Sequence, residues 1–71
     1  MADRIIAKVD KNAREILQIA RTTYEGHKLV DVRVYAKSSD GDPKPTKKGV
    51  TFKIGMLDDV ILALQQAREA I

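Results

Sequence analysis

The fold is decided by the stretch LVDVRVY, residues 29–35, which has the clearest strand pattern in the chain. Its three valines alternate with polar or aromatic residues, and this period of two is typical of a strand with one buried and one wet face. We therefore predict a strand here, with the valines facing the core. The same pattern places Arg33 and Tyr35 on the solvent-facing side.

Two further strands are predicted on either side of this one. Residues 16–24 are rich in β-branched and aromatic side chains, and the turn at residues 25–27 follows them. Residues 38–43 are a dense cluster of turn formers, after which residues 49–54 resume the alternation with Val50, Phe52 and Ile54 inward. Residues 4–9 are ambiguous, because they fit either a short edge strand or a loose arm.

After Gly55 the apolar spacing becomes helical. Small apolar residues widen this stripe to roughly half of the helix circumference at ~100° per residue, which is more apolar surface than one small sheet needs. We therefore expect the helix to pack partly on a second copy of the chain. The residues expected at this dimer interface are Leu57, Val60, Ile61 and Leu64.

Composition limits the chemistry that the chain can carry. A chain of 71 residues is expected to form one domain, spanning residues 1–71, and a domain of this size is often marginally stable alone. It has no cysteine and only one histidine, His27, so neither a disulfide framework nor a zinc cluster is available. We expect no catalytic residues, no metal and no cofactor, and self-association remains as the source of extra stability.

Two other features support a non-catalytic intracellular protein. The adjacent pair Asp58 and Asp59 lies where the helix begins, and acids in a first helical turn interact favourably with the helix dipole. No apolar run approaches the roughly 18 residues of a membrane span, and the N-terminal residues lack a signal-peptide core. We expect no membrane partner and a cytoplasmic or nucleoid location, or the host cytoplasm if the protein is viral.

Positive charge is concentrated in one part of the sequence. The formal net charge is +3, and residues 36–53 carry five basic and two acidic side chains. The run at residues 43–53 has four lysines, two prolines, a glycine and no acid. Because proline fixes φ and glycine relaxes it, we predict a shaped loop that presents lysines to a polyanion.

A lysine-bearing loop beside exposed aromatic side chains is typical of single-stranded nucleic-acid binding, since cations contact phosphates and rings stack on unpaired bases. The chain's only clear helix is net acidic, which disfavours insertion into a duplex major groove. Each residue also has a structural explanation: tyrosines are often half-buried in sheets, lysines solubilise loops, and Asp31 can pair with Arg33.

The order of these segments resembles the positive cofactor four (transcriptional coactivator) family, particularly its small bacterial and phage-type members. The resemblance rests on the Asp31-x-Arg33-x-Tyr35 strand and on the Lys-Pro-x-basic-Lys-Gly pattern of residues 44–49. It covers nearly the whole chain from about Lys11. Glu25 and His27 depart from it, because some relatives have lysines there, and Ala36 stands where some have tryptophan.

This resemblance implies an α+β fold: a curved four-stranded antiparallel sheet followed by one C-terminal amphipathic helix (ββββα), in a homodimer. It also implies binding of single-stranded DNA, or melted duplex, with little sequence preference, in transcription regulation, replication or repair. The nucleic-acid-binding residues expected from the residues and the resemblance together are Tyr24, Arg33, Tyr35, Lys44, Lys47, Lys48, Gly49 and Lys53.

Two alternatives remain open at this point. The same surface could serve an RNA-binding regulator, because nothing in the sequence reads a 2′-hydroxyl group unambiguously. The chain could instead be a protein-interaction module that works through its broad apolar helix, with the transcription machinery among its candidate partners and with lysines that only keep it soluble.

Overall fold

The computed structural model describes residues 4–39 and 41–70. Over these residues the strands are β1 (Arg4–Asp10), β2 (Glu15–Tyr24), β3 (His27–Ser38) and β4 (Gly41–Lys53). They form one antiparallel sheet in the order β1-β2-β3-β4. A 3₁₀ turn (Ile54–Met56) leads into the helix α1 (Leu57–Glu69). The predicted α+β class, with four antiparallel strands and one C-terminal helix, is confirmed.

The ambiguity at the N-terminal end is resolved in favour of a strand, since β1 pairs with β2 along most of its length.

The predicted turn between β2 and β3 is also present. Glu25 and Gly26 have φ values of 49° and 79°, and Tyr24 pairs directly with His27 on either side of them. Two positive φ values in a two-residue loop characterise a type I′ turn, whose twist matches that of the flanking strands.

The pairing register divides the sheet into two faces. Gln18 of β2 lies between Lys8 of β1 and Arg33 of β3, and Ile16 lies opposite Tyr35. Since directly paired residues project to the same side, these five residues share one face. We call this the concave face, because residues of both edge strands, β1 and β4, line one cleft on it. Two edge strands can meet in this way only if the sheet curls.

Curvature explains where the core lies. On β2, the alternate residues Ile16, Gln18 and Ala20 are all buried on the concave face, although no second layer covers them. Val30 and Val34 are buried on the other side, which we call the convex face. The predicted inward valine pattern of β3 is therefore seen, but the sheet buries side chains on both of its faces.

The helix contributes nothing to this buried core. None of its residues is buried, and α1 borders an open groove whose other wall is the convex face of the sheet. Val50 lines this groove and is 46% exposed. Val50 and Phe52 face the groove, as the predicted inward alternation requires, but the groove is open. The prediction is wrong for Ile54, which belongs to the 3₁₀ turn rather than to a strand and is 38% exposed. Ile71, the last residue of the predicted apolar stripe, lies outside the described residues.

The lysine run is not a loop, as the sequence predicted, but part of the long edge strand β4. The connection between β3 and β4 is confined to residues between Ser38 and Gly41, so the turn formers from Asp42 onward are extended. Proline is tolerated at such a position because an edge strand leaves some backbone N–H groups unpaired in any case.

A bulge interrupts the pairing of β4 at its lysines. Arg33 pairs with Gly49 and Tyr35 with Pro45, so residues 46–48 lie opposite the single residue Val34. Such extra residues leave the ladder and bend the strand. The Thr46 hydroxyl donates a hydrogen bond of 2.7 Å to the Val34 carbonyl oxygen and accepts one of 3.2 Å from the Lys48 N–H. Thr46 therefore holds the lysine bulge, residues 46–48, against β3.

We predict that Thr46→Val destabilises the protein by about 1 kcal/mol, the usual net worth of one intramolecular hydrogen bond. Thr46→Ser is the matched control, because serine keeps the hydroxyl and both hydrogen bonds. Urea unfolding followed by circular dichroism measures the difference between the two variants. Equal free energies of unfolding for both would show that the hydroxyl does not hold the bulge.

Candidate nucleic-acid interface

The two tyrosines lie at opposite ends of the concave face. Tyr24 ends β2 beside the type I′ turn and is 64% exposed, whereas Tyr35 is half-buried opposite Ile16. Tyr24 lies eight positions after Ile16 on β2, which is about 26 Å along an extended strand at ~3.3 Å per residue. The two rings therefore cannot contact the same base, although both could contact one flexible strand that runs along this face.

Arg33 lies at the centre of the face, and its guanidinium is largely engaged within the protein. Its Nε and Nη2 donate to the two carboxylate oxygens of Asp31, each at 3.1 Å, and Nη1 donates to the Thr46 carbonyl oxygen at 3.1 Å. The hydrogen bonds that Arg33 donates to Asp31, together with the negative charge of that carboxylate, raise the pKa of Arg33 above its usual value. Arg33 therefore joins β3 to the lysine bulge, and three of its N–H groups are not free for a phosphate.

The carboxylate of Asp31 is held in turn by a second donor. The Thr51 hydroxyl donates to Asp31 Oδ1 at 3.0 Å, from the position on β4 directly opposite Asp31. Asp31, Arg33, Thr46 and Thr51 thus form one polar network across β3 and β4. The network contacts β4 at Thr46, before the two lysines, and at Thr51, after them, so the backbone that carries Lys47 and Lys48 is anchored on both sides.

The predicted lysines differ in their placement. Lys47 and Lys48 are exposed in the bulge on the outer edge of the sheet. Lys53 pairs with Leu29 on the concave face, towards the end of β3 that follows the type I′ turn. Lys44 pairs with Ala36, one position away from the pair of Tyr35 and Pro45, so the alternation of the strand directs it to the opposite face. The structure brings Lys47 and Lys48 together with Arg33 but separates Lys44 from the aromatic residues.

Gly49 has a packing role rather than a conformational one. A Cβ atom at this position would lie 2.8 Å from the Val32 carbonyl oxygen and 2.9 Å from the Arg33 Cα. Both neighbours are backbone atoms, which cannot move aside without shifting β3. Glycine at this position therefore lets the two strands approach closely directly after the lysine bulge.

The sequence reasoning missed Thr46 and Gln18. Thr46 was only the unspecified position of a family pattern, and its role depends on a bulge that composition does not reveal. Gln18 offered a signal, since it is the one amide in an otherwise apolar stretch, residues 16–20. Its side chain is only 8% exposed and borders the cleft of the concave face.

The predicted dimer residues border the open groove between α1 and the convex face. Leu57 and Val60 are half-buried there, while Ile61 and Leu64 are 49% and 64% exposed. The groove has a volume of about 580 Å³, and Phe52 lies on its sheet wall. The chain by itself therefore leaves a wide apolar surface in contact with water.

The described residues show no arrangement for a metal or a membrane. Within residues 4–39 and 41–70, no three His, Asp or Glu side chains cluster closely enough to hold a metal ion. In the same part of the chain, no helix combines the length and the apolar character that a bilayer span requires.

Comparison with known proteins identifies relatives of the same architecture. The family model described as Transcriptional Coactivator p15 (PC4) matches residues 11–62. The crystal structure of BPSL1147, a PC4 homologue from Burkholderia pseudomallei, is 34% identical in its orthorhombic form, with a TM-score of 0.88 over 94% of this chain and 90% of that one. Its tetragonal form gives a TM-score of 0.86, again at 34% identity, over 94% and 98% of the two chains.

A phage protein shares the fold at lower identity. The bacteriophage T5 homologue of the eukaryotic coactivator PC4, implicated in recombination-dependent DNA replication, is 17% identical, with a TM-score of 0.74 over 99% of this chain and 81% of that one. Comparison with curated protein sequences gives no significant match. The family match spans more than half of the chain, and it includes β2, β3, β4 and the start of α1. The chain therefore belongs to the Transcriptional Coactivator p15 (PC4) family.

Proposed function

We propose that this protein binds single-stranded DNA, or melted duplex, with low sequence specificity and without catalysis. The observation that carries the proposal is the lysine bulge, which the Asp31–Arg33 network anchors at the rim of a concave face bearing Tyr35. Anchored cations beside an aromatic face provide what an unpaired strand requires, namely charge for phosphates and flat surfaces for bases.

Within this proposal the residues have different tasks. Lys47 and Lys48 contact phosphates from the edge of the sheet, and Lys53 does so further along β4. Tyr24, the more exposed ring, stacks on a base at the end of the face, and Tyr35 contacts a second base some nucleotides away. Arg33 acts mainly by positioning the bulge, and Lys44 is a weaker candidate because it faces the other way.

Membership of the family supports a role in nucleic-acid metabolism. The phage T5 homologue is implicated in recombination-dependent DNA replication, and the family takes its name from a transcriptional coactivator. For this chain we propose the binding activity as the shared property, inside the cell, in transcription regulation, replication or repair. RNA is the competing ligand, so matched single-stranded DNA, single-stranded RNA and duplex belong in one competition assay.

We also propose that the working unit is a homodimer. The groove beside α1 has apolar walls, and burial of such surface is worth ~25 cal/mol per Å². A helix with no buried residue gains little hydrophobic stabilisation from its own sheet. A second copy of the chain is the partner that can cover both α1 and the convex face. The alternative is another protein that occupies the groove and makes the chain an interaction module.

The proposed phosphate contacts predict how binding depends on salt. Each phosphate contact on a single strand contributes about −0.7 to the slope of log affinity against log salt, so Lys47→Ala with Lys48→Ala should make the slope shallower by about 1.4 per protomer. Fluorescence anisotropy with labelled oligo-dT over a range of salt concentrations measures this change.

The matched control for the salt experiment removes two cations from outside the proposed interface. Lys28 projects from the convex side of β3 and Arg68 lies in the last turn of α1. Lys28→Ala with Arg68→Ala changes the net charge equally and should leave the slope nearly unchanged. An equal loss of slope in both double variants would mean that only overall charge matters, and the edge lysines would then simply discourage sheet-edge aggregation.

The proposed homodimer predicts that a charge in the apolar groove separates the two protomers. Leu64→Lys places a charge in the middle of the apolar groove wall and should convert a dimer into a monomer at micromolar protein concentration. Gln66→Lys adds the same charge about 200° around the helix from Leu64, at ~100° per residue, and should leave the dimer intact. Sedimentation velocity distinguishes the two species. A folded wild-type monomer at micromolar concentration would contradict the homodimer.

A further inference from the structure

The cleft of the concave face has an unusual floor. It is an open cavity of about 370 Å³, lined by Ile5, Lys8, Gln18, Tyr35, Asp42 and Pro43 from all four strands. The Gln18 side chain belongs to a residue that is only 8% exposed, yet it makes no hydrogen bond with any residue in the described part of the chain. A buried amide normally has partners, because an unpaired one lowers stability.

The free amide of Gln18 opens into this cleft. Among the described residues, no side-chain nitrogen or oxygen that is fully enclosed lacks a hydrogen-bond partner. The Gln18 amide must therefore be reached from outside, and the cleft is the cavity that it borders. Arg33, its neighbour on β3, does not satisfy it, because the Arg33 donors bond to Asp31 and to the Thr46 carbonyl oxygen.

The remaining walls favour a flat and uncharged ligand. Lys8 and Asp42 carry opposite charges at the rim, so the cleft has no net charge with which to attract a phosphate. Tyr35 contributes a ring to the lining, and Ile5 and Pro43 contribute apolar surface. An amide can donate and accept side by side, and the polar edge of every nucleobase presents donors and acceptors in the same way.

We propose that this cleft holds one unstacked nucleobase of the bound strand, with Gln18 hydrogen-bonded to its polar edge and Tyr35 against its ring. The inference rests on the proposed function, and it adds a base-dependent contact to a surface otherwise described by phosphates and stacking. Gln18 is then a determinant of the affinity for a base, and the absence of a protein partner in the free protein leaves its amide available for binding.

The test compares two strands that have equal numbers of phosphates, oligo-dT and a fully abasic strand of the same length. Gln18→Met keeps the side-chain volume but removes the amide. It should weaken oligo-dT binding by about fivefold or more per protomer, the lower end of the discrimination given by a bidentate base contact. Binding of the abasic strand and the slope against salt should stay unchanged.

The free energy of unfolding distinguishes a binding role of Gln18 from a structural one, because a structural role predicts that its replacement lowers stability. Because the Gln18 amide has no protein partner, Gln18→Met should leave the free energy of unfolding unchanged or raise it. A second variant avoids the buried strand: Ile5→Ala removes a cleft wall that is 51% exposed, and it should also weaken only oligo-dT binding. Val9→Ala is the matched control, because Val9 is 49% exposed on the same strand but paired with Leu17 of the convex face.

The possible outcomes are distinct. Wild-type protein that binds neither strand contradicts the proposed function as a whole. Gln18→Met that binds oligo-dT as the wild type does overturns the base cleft alone. Wild-type protein that binds both strands equally overturns the cleft together with the base contacts of Tyr24 and Tyr35, and leaves only the phosphate contacts. Thymidine monophosphate tests whether the cleft takes a free nucleotide instead. This is the conclusion if the nucleotide binds the wild type but not Gln18→Met, while the wild type binds oligo-dT and the abasic strand alike. The proposal that the cleft holds a base of the bound strand is then wrong.

Discussion

The contact between the Arg33 guanidinium, the Asp31 carboxylate and the Thr46 carbonyl oxygen links the two parts of this structure on which the proposed function depends. It connects the most regular strand, β3, to the irregular edge strand that carries the lysines. The Arg33 and Asp31 side chains keep 25% and 20% of their surface exposed, so water still screens the pair and its contribution to the overall stability is small. Its importance is geometric, because a planar guanidinium that bonds at three points fixes the direction of the bulged backbone.

The same network explains why the lysine run could be recognised in the sequence but its conformation could not. The concentration of lysines in residues 43–53 and the alternation in residues 29–35 are local properties, so both could be predicted from composition and periodicity. The prolines and Gly49 suggested a loop, because their effect on an isolated backbone was considered without the neighbouring strand. In the folded protein Pro45 lies on an edge strand, and Gly49 permits close approach to Arg33, so an extended bulge replaces the loop.

The position of Arg33 was predicted correctly, as was its possible pairing with Asp31. The two features conflict, because N–H groups that bond to Asp31 are not free to contact a phosphate. A sequence shows that a cation faces solvent, yet it does not show which acceptors fold against that cation. The cleft around Gln18 was beyond the sequence for a related reason. The cleft depends on curvature of the sheet, which brings residues of β1 and β4 to one cavity. Register shifts in β1 and β4 bend these strands. No single residue in the sequence predicts such a shift.

A sheet that curls without a second layer leaves both of its faces available. The convex face and α1 expose apolar surface that suits a second protomer, whereas the concave face exposes cations, rings and one unpaired amide that suit a nucleic-acid strand. Under the proposed function, this division of tasks would let a chain of 71 residues combine assembly with binding. Both faces carry groups that lack a partner among the described residues, namely exposed leucines on one side and the solvent-accessible Gln18 amide on the other.

The proposed function requires that a single strand of DNA lies along the concave face and the lysine bulge. Backbone amide chemical shifts of the isotope-labelled protein, recorded during titration with oligo-dT, test this location directly. We expect the largest shift changes at Gln18, Tyr35, Lys47 and Lys48, with the amides of α1 nearly unchanged. Shift changes concentrated in α1 and on the convex face, or no changes at saturating oligo-dT, would contradict it.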